Sequence, residues 1–417
     1  MRPGTGGHMV GGDGPDHPSL SAVNAREDRA RVVVAGGGVA ALEFVLGLEE
    51  LLPGVAAVEL VSPDEAFTYR PLAVAETFGA GTPYRVELVR IAARLGARLR
   101  RGRVVEVDTE QRLVRTDTSS ELPYDVLLIA CGARAAEGVP GALTFRGERD
   151  EAAFRAVLDE LATGTASSLA FVVPPYATWP LPLYELALMS ATELAHRGVE
   201  GHRLLLVTPE VRPLAEFGAA ASEAVAGLLD TAGIEVHCGR AAVEALPGEL
   251  RLAAGDSLRA DRVVALPWLQ GPAIAGLPSD ADGFVPTDAH GLVESLDNVW
   301  AAGDVTNFPV KQGGLAVLQA DAVAEAVAAR LGAAINPAPF RPVLRGMLLT
   351  GGEPRFLAAD LDPGAESSTV DVQPLWWPPT KIAGGWLARF LHAEGLPVPA
   401  PPGGPGTLPV ELQLSHR

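Results

Sequence analysis

Cysteine is scarce in this sequence, which has only Cys131 and Cys238, far apart and outside any C-x-x-C spacing. This scarcity argues against a disulfide framework and a structural zinc site, and it fits a reducing cytoplasm. Long apolar runs are missing as well, because Glu43 interrupts the stretch after Val32 and prolines interrupt the one after Leu169. A membrane-spanning helix needs about 18 such residues, so we expect a cytoplasmic protein with at most peripheral membrane contact.

Positive charge is also in short supply. The 33 basic residues face 51 acidic ones, which gives a net charge of −18 and a pI near 4.9. Nucleic acid and anionic lipid surfaces are therefore disfavoured as partners. Lysine occurs only at Lys311 and Lys381, and the remaining basic residues are arginine. Because the two side chains differ in shape, hydration and ease of deprotonation, we interpret Lys311 as a lysine required for its own chemistry.

The length of 417 residues predicts two or three domains at about 150 residues each. Residues 1–29 are rich in Gly, Pro, Asp and His and lack the apolar region of a secretory signal, so we predict a disordered tail. His8 and His17 in this tail have no further metal-ligating residues at suitable spacing. No metal site is predicted.

A β-α-β unit begins at Arg31. The run RVVV predicts a strand, GGG a turn, and VAALEFVLGLEELL a helix that Pro53 and Gly54 terminate before a second strand, AAVELVS. From about Glu148 a second β-α-β-α-β series follows, and after Asn336 the chain becomes Pro-rich and less periodic.

This order of elements predicts an α/β fold built from two Rossmann-like dinucleotide-binding domains. The first domain is expected to be interrupted by the second and followed by a small C-terminal segment. The predicted bounds are 30–147 and 263–335 for the first domain, 148–262 for the second and 336–417 for the C-terminal segment.

A glycine turn joins the first strand to the first helix. Gly36, Gly38 and Ala41 give the spacing G-x-G-x-x-A, which lets backbone N–H groups approach a pyrophosphate at the positive end of the helix. The flanking strands make this pattern specific for a dinucleotide. An acid should end the second strand and hold a ribose hydroxyl, but Ser62 occupies that position. Either Asp64 reaches back or Ser62 makes a weaker bond, and we favour Asp64.

The segment WAAGDVTNFPVKQGG, residues 300–314, carries a second set of functional residues. A short apolar strand ends at Gly303 and Asp304, which places a carboxylate where sugar hydroxyls can donate to it without a side chain at Gly303 in the way. The segment resembles the second flavin fingerprint of the FAD-dependent pyridine nucleotide-disulfide oxidoreductases, and Thr287 fits that pattern too. The resemblance extends over residues 31–335 and implies a flavoprotein with FAD in its first domain.

Within that family, the run FPVKQGG is most similar to sulfide:quinone reductases and type II NADH dehydrogenases, in which this helix start faces the isoalloxazine ring. The resemblance implies that Lys311 either tunes the flavin or contacts the acceptor, and that the loop FTYRPL lies near the ring. The predicted catalytic residues are Lys311, Tyr69 and Lys381. The residues predicted to bind the cofactor are Gly36, Gly38, Val39, Ala40, Ser62, Asp64, Arg70, Val104, Cys131, Gly132, Gly303, Asp304, Lys311, Gln312 and Gly313.

The second domain departs from the family pattern. Where a nicotinamide cofactor needs G-x-G-x-x-G, the chain has PPYATWP from Pro174 to Pro180, and prolines offer no N–H to a phosphate. Glu210 keeps the ribose-acid position, but without the glycines we interpret it as a solvated turn residue. The cysteine pair that sulfide oxidation uses in this family is missing, since we interpret Cys131 as a small packing residue and Cys238 as a core residue. Sulfide:quinone reductase activity is therefore not expected.

The C-terminal segment holds the run IAGGWLARFLHAEG, in which Leu387, Phe390 and Leu391 share one helix face. Three roles fit this helix: covering the flavin, forming a homodimer contact or resting on a bilayer. We favour intramolecular packing or a homodimer over membrane contact, because the polar face has few basic residues.

The first functional hypothesis is an FAD-dependent oxidoreductase that relays electrons to a quinone-like or small organic acceptor. The alternatives are an NAD(P)H:acceptor reductase and a flavoprotein without turnover that serves as a binding partner. The expected partners are a small-molecule donor and acceptor.

Overall fold

The computed structural model describes residues 29–81, 84–362 and 367–396. His8, His17 and nearly all of the predicted tail lie outside the described residues. The helices are α1 (Val39–Leu51), α2 (Ala73–Thr77), α3 (Leu88–Arg94), α4 (Glu151–Ala162), α5 (Leu181–His196), α6 (Gly218–Thr231), α7 (Gly313–Arg330) and α8 (Gly385–Ala393). Short 3-10 helices span Arg70–Leu72, Glu148–Asp150 and Ala215–Phe217.

The strands are mostly three to six residues long. They are β1 (Ala30–Ala35), β2 (Ala56–Ser62), β3 (Ala66–Thr68), β4 (Arg85–Glu87), β5 (Arg98–Arg101), β6 (Val104–Asp108), β7 (Leu113–Thr116), β8 (Glu121–Pro123), β9 (Val126–Ile129), β10 (Arg134–Ala136), β11 (Leu143–Thr144), β12 (Ser168–Val172), β13 (Arg203–Val207), β14 (Ile234–His237), β15 (Ala242–Leu246), β16 (Glu249–Leu252), β17 (Ser257–Arg259), β18 (Arg262–Ala265), β19 (Trp268–Gln270), β20 (Val299–Ala301), β21 (Val343–Leu348), β22 (Arg355–Asp360) and β23 (Ser368–Asp371).

The first sheet is parallel and has the strand order β20-β9-β1-β2-β5. In its centre, Val34 lies opposite Leu60 on one side and Leu128 on the other. Alternate residues of β1 enter two different apolar clusters, one with α1 and α7 and the other with β6–β8. Both faces of the sheet are therefore covered, which explains the uninterrupted apolar strands.

The second sheet is also parallel, with the order β11-β18-β12-β13-β14, and α4, α5 and α6 pack against it. It includes Leu143–Thr144 and Arg262–Ala265, so its strands extend a few residues beyond the predicted bounds of 148 and 262. Because β20 returns to the first sheet only after this second sheet is complete, the first domain is interrupted by the second. The predicted fold class is confirmed.

The segment after Asn336 is more regular than its sequence pattern indicated. Strands β21–β23 form an antiparallel sheet, and α8 packs against α1 and α7. Leu387 and Leu391 are buried there, so α8 packs within the chain as we favoured. Among the described residues, no helix has both the length and the apolar character needed to cross a bilayer.

Candidate functional site

Four parallel strands of the first sheet end at one edge. Gly36 follows β1, Ser62 ends β2, Cys131 follows β9 closely, and Gly303 follows β20. Residues distant in sequence therefore meet at the carboxyl ends of neighbouring strands, where open α/β sheets bind their ligands. A Cβ placed on Gly303 would lie 3.1 Å from the Cβ of Ala40, so the glycine turn and the Gly-Asp pair are in contact.

The glycine turn has the geometry that a pyrophosphate requires. Gly36 adopts φ +139°, and a Cβ at this position would lie 2.2 Å from the carbonyl oxygen of Ala130. Gly38 has open space around it and begins α1 without any side-chain cap. The N–H groups of Val39 and Ala40 have no acceptor among the described residues, so they are available to an anion.

The Asp304 carboxylate is half-buried and accepts no hydrogen bond within the described part of the chain. Burial raises its pKa, and the charges of Lys311 and Arg70 oppose this rise. Gly303 adopts φ +83°, which a larger residue rarely adopts. An acceptor placed this way fits the hydroxyls of a ribityl chain or a ribose.

The N-terminus of α7 offers further donors. Gln312 caps this helix, because its Oε1 accepts the Leu315 N–H at 2.8 Å while its Nε2 donates to the Arg345 carbonyl at 2.9 Å. The N–H groups of Gly313 and Gly314 have no acceptor among the described residues. With the helix dipole, they are suited to hold an electron-rich ring edge.

Lys311 is nearly buried beside these donors. Its Nζ donates to the Thr306 carbonyl and lies 3.8 Å from the centre of the Phe284 ring. Burial lowers the pKa of this amine to about 8, and the charges of Asp304 and Asp280 limit the fall. Lys311 thus supplies positive charge close to Asp304, with a proton that it loses as the pH rises past about 8.

The loop containing Tyr69 and Arg70 reaches the same region. Tyr69 is buried, and its hydroxyl accepts the Ile382 N–H at 2.8 Å. Arg70 is exposed, and its charge acts on Asp304. Lys381 is buried in an ion pair with Glu185 of α5, so its ammonium binds the second domain.

The remaining predicted cofactor contacts have differing surroundings. Ser62 is buried, and its hydroxyl accepts the Asp64 backbone N–H at 3.1 Å; the Asp64 side chain is exposed. Val104 is buried in the cluster beneath the sheet, although it was predicted at the cofactor. Gly132 has open space around it, with φ +73°.

Both cysteines differ from their predicted packing roles. Cys131 is exposed rather than packed, yet surrounding protein raises its thiol pKa to about 11, a combination expected for a group inside a cleft. Cys238 is half-buried after β14 rather than in the core.

Sequence reasoning missed three residues near this site. Arg103 is exposed close to Cys131, and no ion pair of its guanidinium is formed within the described ranges. Glu43 and Glu185 are fully buried carboxylates. Glu43 could have been recognised as a candidate from the sequence, since it is the charge that interrupts an otherwise apolar helix. Glu185 lies in an equally apolar helix and could have been recognised in the same way.

The corresponding edge of the second sheet carries aromatic and proline side chains in place of a glycine turn. The exposed Tyr176 packs at a tilt against Trp268 with ring centres 5.7 Å apart, and α5 begins between Pro180 and Pro182, which have no N–H. Glu210 was interpreted as a solvated turn residue, but this is wrong. Its half-buried carboxylate accepts hydrogen bonds from the Tyr184 hydroxyl, the Thr208 hydroxyl and the Ala215 N–H. These residues do not fit a nicotinamide dinucleotide.

Similarity to known proteins agrees with this architecture. Among solved structures, the sulfide:quinone oxidoreductase of Aquifex aeolicus matches with a TM-score of 0.76 at 21% identity, over 88% of this chain and 89% of that chain. A ferredoxin reductase of Rhodopseudomonas palustris gives 0.62 at 21% identity, over 80% and 83%. An NAD-dependent persulfide reductase of A. fulgidus gives 0.58 at 18% identity, over 80% and 64%.

These identities are too low to establish more than the fold. A comparison with curated proteins finds no significant match. The model of a sequence family described as pyridine nucleotide-disulphide oxidoreductase, however, matches residues 30–166 and 186–329, which is more than half of the chain. The chain is therefore a member of the pyridine nucleotide-disulphide oxidoreductase family.

Proposed function

We propose that this oxidoreductase binds FAD in its first domain and passes electrons to a quinone-like or small organic acceptor. The observation that carries the proposal is the contact between the glycine turn and the Gly303-Asp304 pair, since it brings both halves of a dinucleotide site to one sheet edge. Bound FAD would supply the redox chemistry.

The chain's own residues would bind, orient and electrostatically stabilise the cofactor. Val39 and Ala40 offer N–H groups to the pyrophosphate, and Asp304 offers a carboxylate to the ribityl hydroxyls. The N–H groups of Gly313 and Gly314 would stabilise the negative charge that collects at the ring edge on reduction. Lys311 would add positive charge to the same end of α7.

A quinone-like acceptor is supported by the likeness to the sulfide:quinone oxidoreductase of Aquifex aeolicus. Sulfide is not proposed as the donor. The chain has only two cysteines, Cys131 and Cys238, and neither lies in the part of the chain that follows the Gly303-Asp304 pair. NAD(P)H is disfavoured as the donor by Tyr176 and the prolines that stand where a glycine turn would bind its pyrophosphate. The same missing glycine turn favours, as the second candidate, a flavoprotein that has lost turnover and acts as a binding partner.

The visible absorption spectrum of the purified protein tests the proposal. We expect a flavin band, no bleaching by NADH, NADPH or sulfide without oxygen, and reoxidation of the dithionite-reduced protein by a soluble quinone. Bleaching by a nicotinamide would instead support an NAD(P)H:acceptor reductase. Failure of every acceptor would favour the binding partner, and lack of a flavin band, with none after added FAD, would contradict the whole proposal.

A further inference from the structure

A C-terminal segment, called the strap and defined here as residues 376–391, passes beside the start of α7. It is held to the second domain by the buried ion pair of Lys381 with Glu185, whose Oε1 also accepts the Leu349 N–H at 2.8 Å. It is held to the first domain by the Ile382 N–H, which donates to the Tyr69 hydroxyl at 2.8 Å. The strap therefore bridges both domains.

The strap also touches the start of α7. A Cβ placed on Gly313 would lie 2.9 Å from the side chain of Ile382, so Ile382 lies directly against the first residue of that helix. Gly313 is one of the two glycines whose N–H groups have no acceptor within the described residues. The position of Ile382 thus shapes the wall beside the donors that we assign to the flavin ring.

Beyond Ile382, the strap ends in α8, whose N-terminus is capped by another helix. Glu43 of α1 accepts the Trp386 N–H at 2.6 Å through Oε1 and the Leu387 N–H at 2.7 Å through Oε2. Neither Gly384 nor Gly385 has a side chain to do this, and a Cβ on Gly385 would lie 2.2 Å from the Glu43 carboxylate. The glycines at the start of α8 therefore leave the space that the Glu43 carboxylate occupies.

Asp321 of α7 completes the cluster. Its carboxyl neighbours that of Glu43, and its Oδ1 is buried with no hydrogen-bond partner among the described residues. The other charged groups that act here are Glu325 of α7 and Arg389 of α8. Burial raises the pKa of both carboxyls, that of Asp321 to about 9 with the added effect of the Glu43 charge. The raised pKa favours the protonated form of Asp321 beside Glu43 at neutral pH.

We propose that Glu43, supported by the neighbouring Asp321, is a positioning residue that caps α8 and thereby holds Ile382 of the strap against the flavin-facing end of α7. The proposal rests on the proposed function for the role of that end. The capping itself does not depend on a cofactor. Deprotonation of the pair would place two adjacent negative charges in a buried site and loosen α8.

The first test is limited trypsin digestion of the protein as purified, with mass spectrometry of the peptide ending at Arg389 in α8. Glu43→Gln should release this peptide at least about fivefold faster at pH 7, because the amide NH2 replaces one of the two oxygens that accept the Trp386 and Leu387 N–H groups. Asp321→Asn should leave the rate near that of the wild type, because it resembles the protonated acid. Glu50→Gln, on the exposed side of α1, is the matched control.

The second test uses pH. In the wild type, release of this peptide should accelerate as the pH rises past about 9, relative to other tryptic peptides, and Asp321→Asn should not show this rise. This comparison remains valid if Glu43→Gln does not fold. A flat wild-type profile, or equal release from Glu43→Gln and Glu50→Gln, would overturn the proposal.

The third test measures the absorption spectrum of the flavin and its reaction with a quinone. If the wild type retains FAD, Glu43→Gln should shift its visible absorption bands or slow the reoxidation of the dithionite-reduced protein by a soluble quinone, and Asp321→Asn should do neither at pH 7. An unchanged spectrum and reoxidation rate despite faster digestion would contradict the link from strap to flavin. A wild type without flavin would contradict the proposed function and leave the capping result standing.

Discussion

The Gly303 N–H donates to Oε1 of Gln319 at 2.7 Å, which ties the Gly-Asp turn to the second turn of α7. Gln319 Nε2 also donates to the Thr306 hydroxyl at 3.3 Å. Gln319→Leu should lower the free energy of unfolding by about 1–3 kcal/mol, because it leaves a buried N–H without an acceptor. Gln319→Glu keeps the acceptor and should cost less. Urea denaturation measures both, and a loss below about 0.5 kcal/mol in Gln319→Leu would contradict this account.

Alanine substitution of two glycines in the same turn should have different effects, one on stability and the other on FAD affinity. Gly36→Ala should destabilise the fold by about 3 kcal/mol or more, because its Cβ would lie 2.2 Å from a carbonyl oxygen at φ +139°. Gly38→Ala meets open space, so it should leave stability unchanged and weaken FAD at least about tenfold by blocking the backbone approach. Urea denaturation and FAD fluorescence titration separate the two effects. Equal FAD affinity in Gly38→Ala and wild type would contradict the assignment.

Lys311 should make stability depend on pH. Because its pKa is lowered to about 8 from an ordinary value of 10.5, the unfolded chain binds more protons than the folded one between these values. The free energy of unfolding of the wild type should therefore rise with pH across this window relative to Lys311→Met. Urea denaturation at pH 7 and pH 10 checks this. A constant difference between the two proteins would show that the pKa is not lowered.

Lys311→Arg tests why this position holds a lysine in a chain dominated by arginine. The larger guanidinium cannot occupy the same buried place between the Thr306 carbonyl and the Phe284 ring without displacing them. We expect a shifted flavin potential and a lower turnover, measured by dye equilibration and quinone reduction. Unchanged values would contradict a role for the lysine.

Arg103 should select FAD over FMN. Its backbone N–H, two residues after β5, donates to the Asp117 carboxylate at 2.7 Å, and its guanidinium charge acts on the Cys131 thiol after β9. Arg103→Gln should weaken FAD about tenfold, because the adenosine end loses its cation, and leave FMN affinity unchanged. Arg101→Gln is the control, since Arg101 pairs with Glu65. Equal FAD affinities in the two variants would contradict this role.

Much of the first domain could be predicted from its sequence, because local patterns determine it. The strand at Val32–Val34, the glycine turn and the apolar helix α1 each satisfy their own geometric rule, and parallel packing then brings Gly36 and Asp304 to one edge. The site residues predicted from these motifs remain predictions until a cofactor is tested.

The missed features depend on contacts distant in sequence. The role of Glu43 is visible only once α8 packs against α1, and the role of Glu185 only once Lys381 lies beside it. Glu210 appeared solvated because nothing in its neighbourhood revealed that Tyr184 would donate to it. Strands β21–β23 were overlooked because alternating polarity is weak where one sheet face meets another domain.

The pairing of β20 with β9 also governs how the polypeptide assembles. Val299 lies opposite Leu127, and the whole second sheet separates them along the chain. The ribosome therefore releases the glycine turn long before its partner Asp304, and the intervening domain must collapse first to bring the two ends together at a small entropic cost. A mutation in the inserted domain that slows its folding should delay the pairing of β20 with β9. The edge of β9 would then stay exposed for longer and be prone to aggregation.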